Sequence, residues 1–355
     1  MNTISLVTYH YSANVGAVMQ TYALCRFLKE HGFKIEIVDI RHLEPTLKTI
    51  SEGSPLPVRL LKSIIYPRRI KKIMTQYYPA MTKHYKSMED LRKNPPKSDC
   101  YIVGSDQVWN PDISADRALA YFLDFGSDEV RRISYASSFG LSKWKEGKYA
   151  STSIVKKCLD KFYNVSVREL EGADILRQTF NIEPTIVVDP TFLNDSYPEI
   201  TGKVKQRKEI VCYKLEKTQD FWGNMPIVSK KMNTPALLLN YNFPKKGYKY
   251  HFNPTVNQWV RRIAGASFVV TDSFHGVAFS IIYKREFAAV INHNGKESRI
   301  VSLLKILHLE NRMFDSVKDL SLSNCWNNPI NYAEVYKLLA VQKEISINYL
   351  LNALK

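Results

Sequence analysis

The sequence predicts an α/β protein of two similar domains with a cleft between them, and three observations carry that prediction. Short apolar runs bounded by turn residues alternate with stretches of helical periodicity, which is the pattern of parallel sheets. A chain of 355 residues with 45% hydrophobic content is the size of two ordinary domains. Polar or charged groups recur where the apolar runs end, which marks one edge of the sheet as a site.

Taken in order, Thr3 to Thr8 reads as the opening strand, followed by the turn-prone Tyr9-His10-Tyr11-Ser12-Ala13-Asn14-Val15-Gly16. Ala17 to His31 carries Val18, Tyr22, Leu24, Cys25 and Leu28 at helical spacing, closed by Gly32. Lys34 to Ile40 is the second strand. The loop has one glycine and lacks G-x-G-x-x-G, so it is no dinucleotide fingerprint. It is open to two readings, a plain turn or a substrate loop. Asp99 to Val103 then ends in Gly104-Ser105-Asp106-Gln107-Val108-Trp109-Asn110-Pro111, a denser polar cluster than a turn requires. Arg132 to Ala136 closes in Ser137-Ser138-Phe139-Gly140. A helix over 151–162 leads to the strand Asn164 to Val167 with Arg168-Glu169 at its tip. The helix Glu169 to Thr179 precedes Thr185 to Val188, which ends in Asp189-Pro190-Thr191.

The polar stretch Asn194 to Lys208 reads as a linker. Beyond it, strands at Glu209–Tyr213, Pro235–Leu239, Ser267–Thr271 and Phe287–Ile291 alternate with helices near 255–264 and 276–284. Ser298-Arg299-Ile300 opens another helix. The domains expected are therefore 1–193 and 209–330, with a basic helical insertion at 57–93. A last helix over 331–355 packs back across the molecule.

The most informative stretch is Phe268 to Ser280, a valine-rich run stopping at Thr271-Asp272-Ser273 before a helix that begins near Gly276. Hydroxyls, an imidazole and backbone N–H groups at a helix N-terminus suit a phosphate or a carboxylate. His275 alone is equally readable as a hydrogen-bonded structural histidine.

Composition narrows the partners. The net charge of +16 calls for an acidic one. Zinc-finger spacing, RNP-type aromatics and heptads are all lacking, so nucleic acid is not expected. Basic residues from Arg59 to Lys93 interleave with Leu60, Ile65, Ile70, Ile73 and Tyr77. That pattern reads either as solvated helix faces or as a surface resting on anionic lipid. Five scattered cysteines without a C-x-x-C pair are expected as reduced, mostly buried thiols, and no metal or cofactor motif is seen. No signal sequence is read at Met1-Asn2-Thr3-Ile4, and the expected location is the cytoplasm, peripheral on the plasma membrane if the basic face docks.

The ordered set Tyr9 to Gly32, Gly104 to Pro111, Ser166-Val167-Arg168-Glu169, Asp189-Pro190-Thr191, Thr271 to Gly276 and Ser298-Arg299-Ile300 resembles the polysaccharide pyruvyl transferase family along nearly the whole chain. The resemblance implies two Rossmann-like domains of glycosyltransferase-B type. It also implies transfer of pyruvate from phosphoenolpyruvate to two hydroxyls of one sugar, with no metal or redox cofactor. A lipid-linked oligosaccharide is the acceptor it suggests.

On that resemblance and the strand tips, His275 is expected at the phosphate or as the general acid, and Asp106 as the base or the hydroxyl anchor on the acceptor side. Arg168, Ser273, Arg299 and Ser138 are expected at the donor, and Asn14, Gly16, Gln107 and Trp109 at the acceptor. Arg168 could instead form an ion pair with Glu169 or Asp189, and Trp109 could be a core residue. Many members carry an arginine two residues before this histidine; here that position is Ser273, so its duty passes to Arg299 or the donor is held differently. Two other readings stand beside this one. One is a glycosyltransferase of the same fold using a nucleotide sugar; the other is a non-catalytic, membrane-associated assembly protein.

Overall fold

A computed structural model describes residues 2–41, 56–240, 245–291 and 297–355, the side chains of 56–64 excepted. The chain divides into unit 1, residues 1–193 with 345–355, and unit 2, residues 194–344.

Unit 1 is built on a parallel sheet of β1 (Thr3–Val7), β2 (Lys34–Ile40), β3 (Ala80–Tyr85), β4 (Cys100–Val103) and β5 (Arg131–Ser134), in the order β3-β2-β1-β4-β5. Its strands are apolar because both faces are covered: Ile4, Leu6, Ile37, Val38, Ile102 and Val103 have no exposed surface. The helix Val15–Glu30 follows β1, capped by Asn14, whose side chain accepts from Gly16 N at 2.8 Å. A two-stranded parallel pair, β6 (Ser166–Val167) and β7 (Thr185–Ile186), continues from β5 through single bridges, Asp106 to Ser137 and Ser137 to Val167.

Unit 2 repeats the plan with six parallel strands, β8 (Ile210–Tyr213), β9 (Ala236–Leu239), β10 (Lys249–His251), β11 (Phe268–Thr271), β12 (Phe287–Val290) and β13 (Met313–Phe314). Their order is β10-β9-β8-β11-β12-β13. In both sheets the chain first builds outward on one side of its opening strand and then crosses to the other. The switch falls between β1 and β4 in unit 1, and between β8 and β11 in unit 2. Open α/β sheets bind ligands beyond the carboxyl ends of the strands at such a switch.

Several expectations change. The 57–93 stretch is not wholly helical: after the helix Leu56–Tyr77 it supplies β3 and the short helix Met88–Lys93. β3 escapes a periodicity reading because it is an edge strand carrying Lys83 and His84. Arg59, Leu60, Leu61, Lys62 and Ile64 lie outside the residues whose side chains are described. From Ile65 onward, Ile70, Ile73 and Tyr77 are buried, with Tyr77 edge-on to Tyr22, while Arg68, Lys71 and Lys72 face solvent. Of the apolar residues in that pattern Ile70, Ile73 and Tyr77 are therefore core, whereas Ile65 is exposed. Residues 194–208, read as a linker, fold with unit 2, and Tyr197, Ile200 and Thr201 are buried beside the helix Val256–Gly265. The last helix, Tyr332–Ala353, starts in unit 2 and ends in unit 1, where Tyr349 donates to Ser134 O at 2.8 Å. Among the described residues, no helix is long and apolar enough to cross a membrane.

Candidate active site

In unit 1 the switch brings the segment after β1 beside the segment after β4. Thr8 Oγ1 donates to Ser105 O at 3.4 Å, and the Tyr9 hydroxyl donates to Gln107 O at 2.9 Å. Asp106 adopts a positive φ of 75°, an uncommon backbone state for a residue with a side chain. Its carboxylate thereby turns back to accept from Gln107 N at 2.9 Å. Such local strain clusters at functional sites. Gly140, at φ 63°, leaves room for Gln107: a Cβ there would lie 2.7 Å from Gln107 Cγ.

The single bridges carry the row onward. Ser138 N donates to Asp106 O at 3.0 Å, and Arg168 N donates to Ser137 O at 3.3 Å. Asp106, Gln107, Ser138 and Arg168 are thus held together, while Asn14 and Gly16 open the helix after the neighbouring β1.

Arg168 is buried and surrounded by carboxylates. It meets Asp189 at 2.6 Å, and Asp106 and Glu169 at 3.8 Å each. Burial works against its charge, but the three carboxylates outweigh that and hold the guanidinium more firmly protonated. Ser105 Oγ joins the pair, donating to Asp189 at 2.9 Å, and Asp189 also accepts from Thr191 N and Oγ1. The ion-pair alternative is the one this geometry displays: an anion approaching Arg168 would also meet Asp106 and Glu169.

Trp109 is corrected outright. It has no exposed surface, donates from Nε1 to Tyr121 O at 2.9 Å, and is stacked on Phe122 with Phe139 and Phe162 around it. With its faces covered it is a core residue, and no sugar can stack on it. A second polar group went unnoticed in the sequence. The buried Asp39 at the end of β2 meets His10 at 3.1 Å, Arg41 at 3.2 Å and His84 at 3.4 Å. Only the position of His10 at the tip of β1 could have drawn attention to it.

In unit 2, β8 and β11 run in register up to Tyr213 and Thr271. Thr271 Oγ1 donates to Tyr213 O at 2.7 Å and accepts from Ser273 N at 3.0 Å. Ser273 is the N-cap residue of the helix Phe274–Ile282 without a side-chain capping bond. His275 is buried in the first turn. Gly276 lets that turn press on β11: a Cβ there would fall inside contact distance of Thr271 Oγ1, and 2.9 Å from its Cβ. Arg299 is half-buried in the first turn of the helix Ser298–Ile306, which packs against the helix of His275.

Of the four residues expected at the donor, Ser273 and Arg299 therefore lie in unit 2, Ser138 and Arg168 in unit 1. Asp272 accepts from Leu215 N at 2.6 Å and Glu216 N at 3.0 Å, and meets the buried Lys214 at 3.1 Å. Lys214 and Lys217 escaped the sequence reading because they look like ordinary charges after a strand. Their one signal was that placement at a strand tip.

Solved structures similar to this one share its fold. A glycosyltransferase of kitacinnamycin matches at 10% identity, covering 98% of this chain and 97% of that one, with a TM-score of 0.55. A UDP-N-acetylglucosamine 2-epimerase described as putative, from Listeria monocytogenes, matches at 11% identity, 95% and 90% coverage and a TM-score of 0.53. A glycosyltransferase from Rickettsia africae matches at 10% identity, 98% and 93% coverage and a TM-score of 0.51. These likenesses establish the fold, two Rossmann-like domains of glycosyltransferase-B type. Among curated proteins none matches the sequence. Residues 14–294 match the family described as polysaccharide pyruvyl transferase. Most of the chain falls within that match, so the protein, a transferase, belongs to the polysaccharide pyruvyl transferase family.

Proposed function

We propose that the protein is a ketal pyruvyl transferase that moves pyruvate from phosphoenolpyruvate to two hydroxyls of one sugar in a surface-polysaccharide precursor. The observation that carries this reading is the contrast between the two switch points. Unit 2 presents Lys217, His275 and a helix N-terminus, the chemistry of an anion site, with Lys214 enclosed in its pair with Asp272. Unit 1 presents carboxylate, amide and hydroxyl groups, the chemistry that holds a sugar. Phosphoenolpyruvate carries both a phosphate and a carboxylate and fits the first set.

In the proposed reaction an acid delivers a proton to the methylene carbon, which becomes the methyl group, and positive charge develops at the adjacent carbon. A sugar hydroxyl adds there and gives up its proton. The second hydroxyl then adds, its proton passing to the departing phosphate, as the carbon–oxygen bond to phosphate breaks, leaving a cyclic ketal and inorganic phosphate. His275 is the proposed acid on the donor side, supported by Ser273 and Arg299. Asp106 is the proposed base or hydroxyl anchor on the acceptor side, with Asn14, Gly16, Gln107 and Ser138 around it and Arg168 orienting it. A lipid-linked acceptor is part of this reading, and the exposed Arg68, Lys71 and Lys72 would serve it at an anionic membrane.

Calorimetric titration tests the donor. Phosphoenolpyruvate should bind saturably, uridine and guanosine diphosphate sugars should not, and His275→Gln should weaken binding. Incubation with galactoside and mannoside acceptors should then release phosphate and add the mass of a pyruvate ketal. Binding of a nucleotide sugar alone would overturn the proposal in favour of a glycosyltransferase, the activity that the names of two structural neighbours carry.

A further inference from the structure

The register of β8 and β11 sets Lys214 opposite Asp272 at the switch point of unit 2. Their ion pair is almost fully enclosed, with side chains 1% and 2% exposed. Asp272 does more than answer that charge. Its two oxygens accept from Leu215 N and Glu216 N, which fixes the loop leading to Lys217. Lys217 folds back over the strand end and donates from Nζ to Lys214 O at 2.6 Å. Burial lowers its proton affinity, Asp272 raises it and Lys214 lowers it again, so both ammonium groups act around one carboxylate. Lys217 is half-buried, hence reachable from solvent, whereas Lys214 is not. The adjoining tip of β11 carries Ser273 and then His275, on the first turn of its helix.

From this we infer that Lys217, backed by Lys214 and set in place by Asp272, is the phosphate contact of the donor site. Loop geometry directs it: a carboxylate that fixes two successive N–H groups presets the backbone from which the lysine reaches over the switch point, where α/β sheets bind their ligands. The lysine is a point charge with three rotatable donors, suited to a phosphate that changes from ester to free ion during reaction. This inference rests on the donor reading above.

The test is calorimetric titration of the full chain with inorganic phosphate and, separately, with phosphoenolpyruvate, using Lys217→Gln and Lys217→Arg. Loss of a charge-assisted contact should weaken both ligands about tenfold or more in Lys217→Gln. Lys217→Arg should bind both within about threefold of the wild type, since the charge is kept. The thermal midpoint of each variant checks that the fold is intact. Phosphate affinity unchanged in Lys217→Gln, or no phosphate binding by the wild type, would overturn the inference. Phosphate binding that depends on Lys217 without any binding of phosphoenolpyruvate would keep the subsite and discard the donor reading. Phosphoenolpyruvate binding indifferent to Lys217 would do the reverse.

Discussion

Gly276→Ala tests whether the His275 turn depends on close helix–strand contact. Gly276 lies in a helix, so propensity alone favours alanine by about 0.5–1 kcal/mol. Packing opposes it. The new Cβ would overlap Thr271 Oγ1 and lie 2.9 Å from Thr271 Cβ and 3.0 Å from Cγ2. Overpacking of this kind costs about 1–3 kcal/mol. If Thr271 turns away, its bonds to Tyr213 O and from Ser273 N are lost, at about 1 kcal/mol each. Packing wins, and the net loss should be about 1–4 kcal/mol. Urea unfolding followed by tryptophan fluorescence measures it. Thr271→Ala removes the hydroxyl and the methyl, so the double variant should lose at least about 1 kcal/mol less than the two single losses combined. Donor affinity should fall in Gly276→Ala as well, because Ser273 N is set by the displaced threonine. A single variant as stable as the wild type, with no coupling to Thr271, would refute the close-packing account of this glycine.

Three further expectations concern other parts of the chain. Arg168→Met should cost about 3–5 kcal/mol, because Asp189 and Glu169 have fully buried side chains and would lose the charge that answers theirs; a loss below about 1 kcal/mol in urea unfolding would show that the guanidinium does not hold this network. Burial pushes the thiols of Cys25, Cys100, Cys158 and Cys212 up to about 12, so at pH 8 a disulfide reagent should titrate at most the half-buried Cys325 in the native protein and all five thiols in denaturant. Rapid reaction of two or more native thiols would contradict that. For Asp39, burial raises the carboxyl, but hydrogen bonds and charge from His10 and Arg41 outweigh burial and hold it below the usual range. A depressed folded value contributes stability that is full above about pH 4, the unfolded value, and is lost as pH falls through the folded one. Asp39→Asn should therefore destabilise more at pH 7 than at pH 3, and equal effects at both would count against it.

Much of the fold was legible because parallel strands buried on both faces are continuous apolar runs, and Ile210–Tyr213, Phe268–Thr271 and Phe287–Val290 are such runs. What was missed is short or polar. β10 and β13 have three and two residues, and β3 carries Lys83 and His84 on an edge where charge is tolerated. The strand tips were legible too, since a polar residue ending an apolar run has few other places to go. Their division of labour was not. Asp189 and Arg168 occupy tips that look as functional as Asp272, yet lie off the β1/β4 switch and answer each other's charge.

Topology separates such cases. Which tips border the switch depends on strand order, and strand order depends on contacts between segments far apart in the chain. The Lys214–Asp272 pair shows how far this reaches. Neither residue is unusual in its own stretch, and the pair exists only because β8 lies beside β11 in one register. A shift of that register by a single residue would place Lys214 opposite a different neighbour, and Asp272 would no longer face the loop that carries Lys217. The candidate donor site is thus a property of the sheet's order first and of its residues second. For that reason the clearest sequence motif, Thr271 to Gly276, identified only one of the two strands that build it.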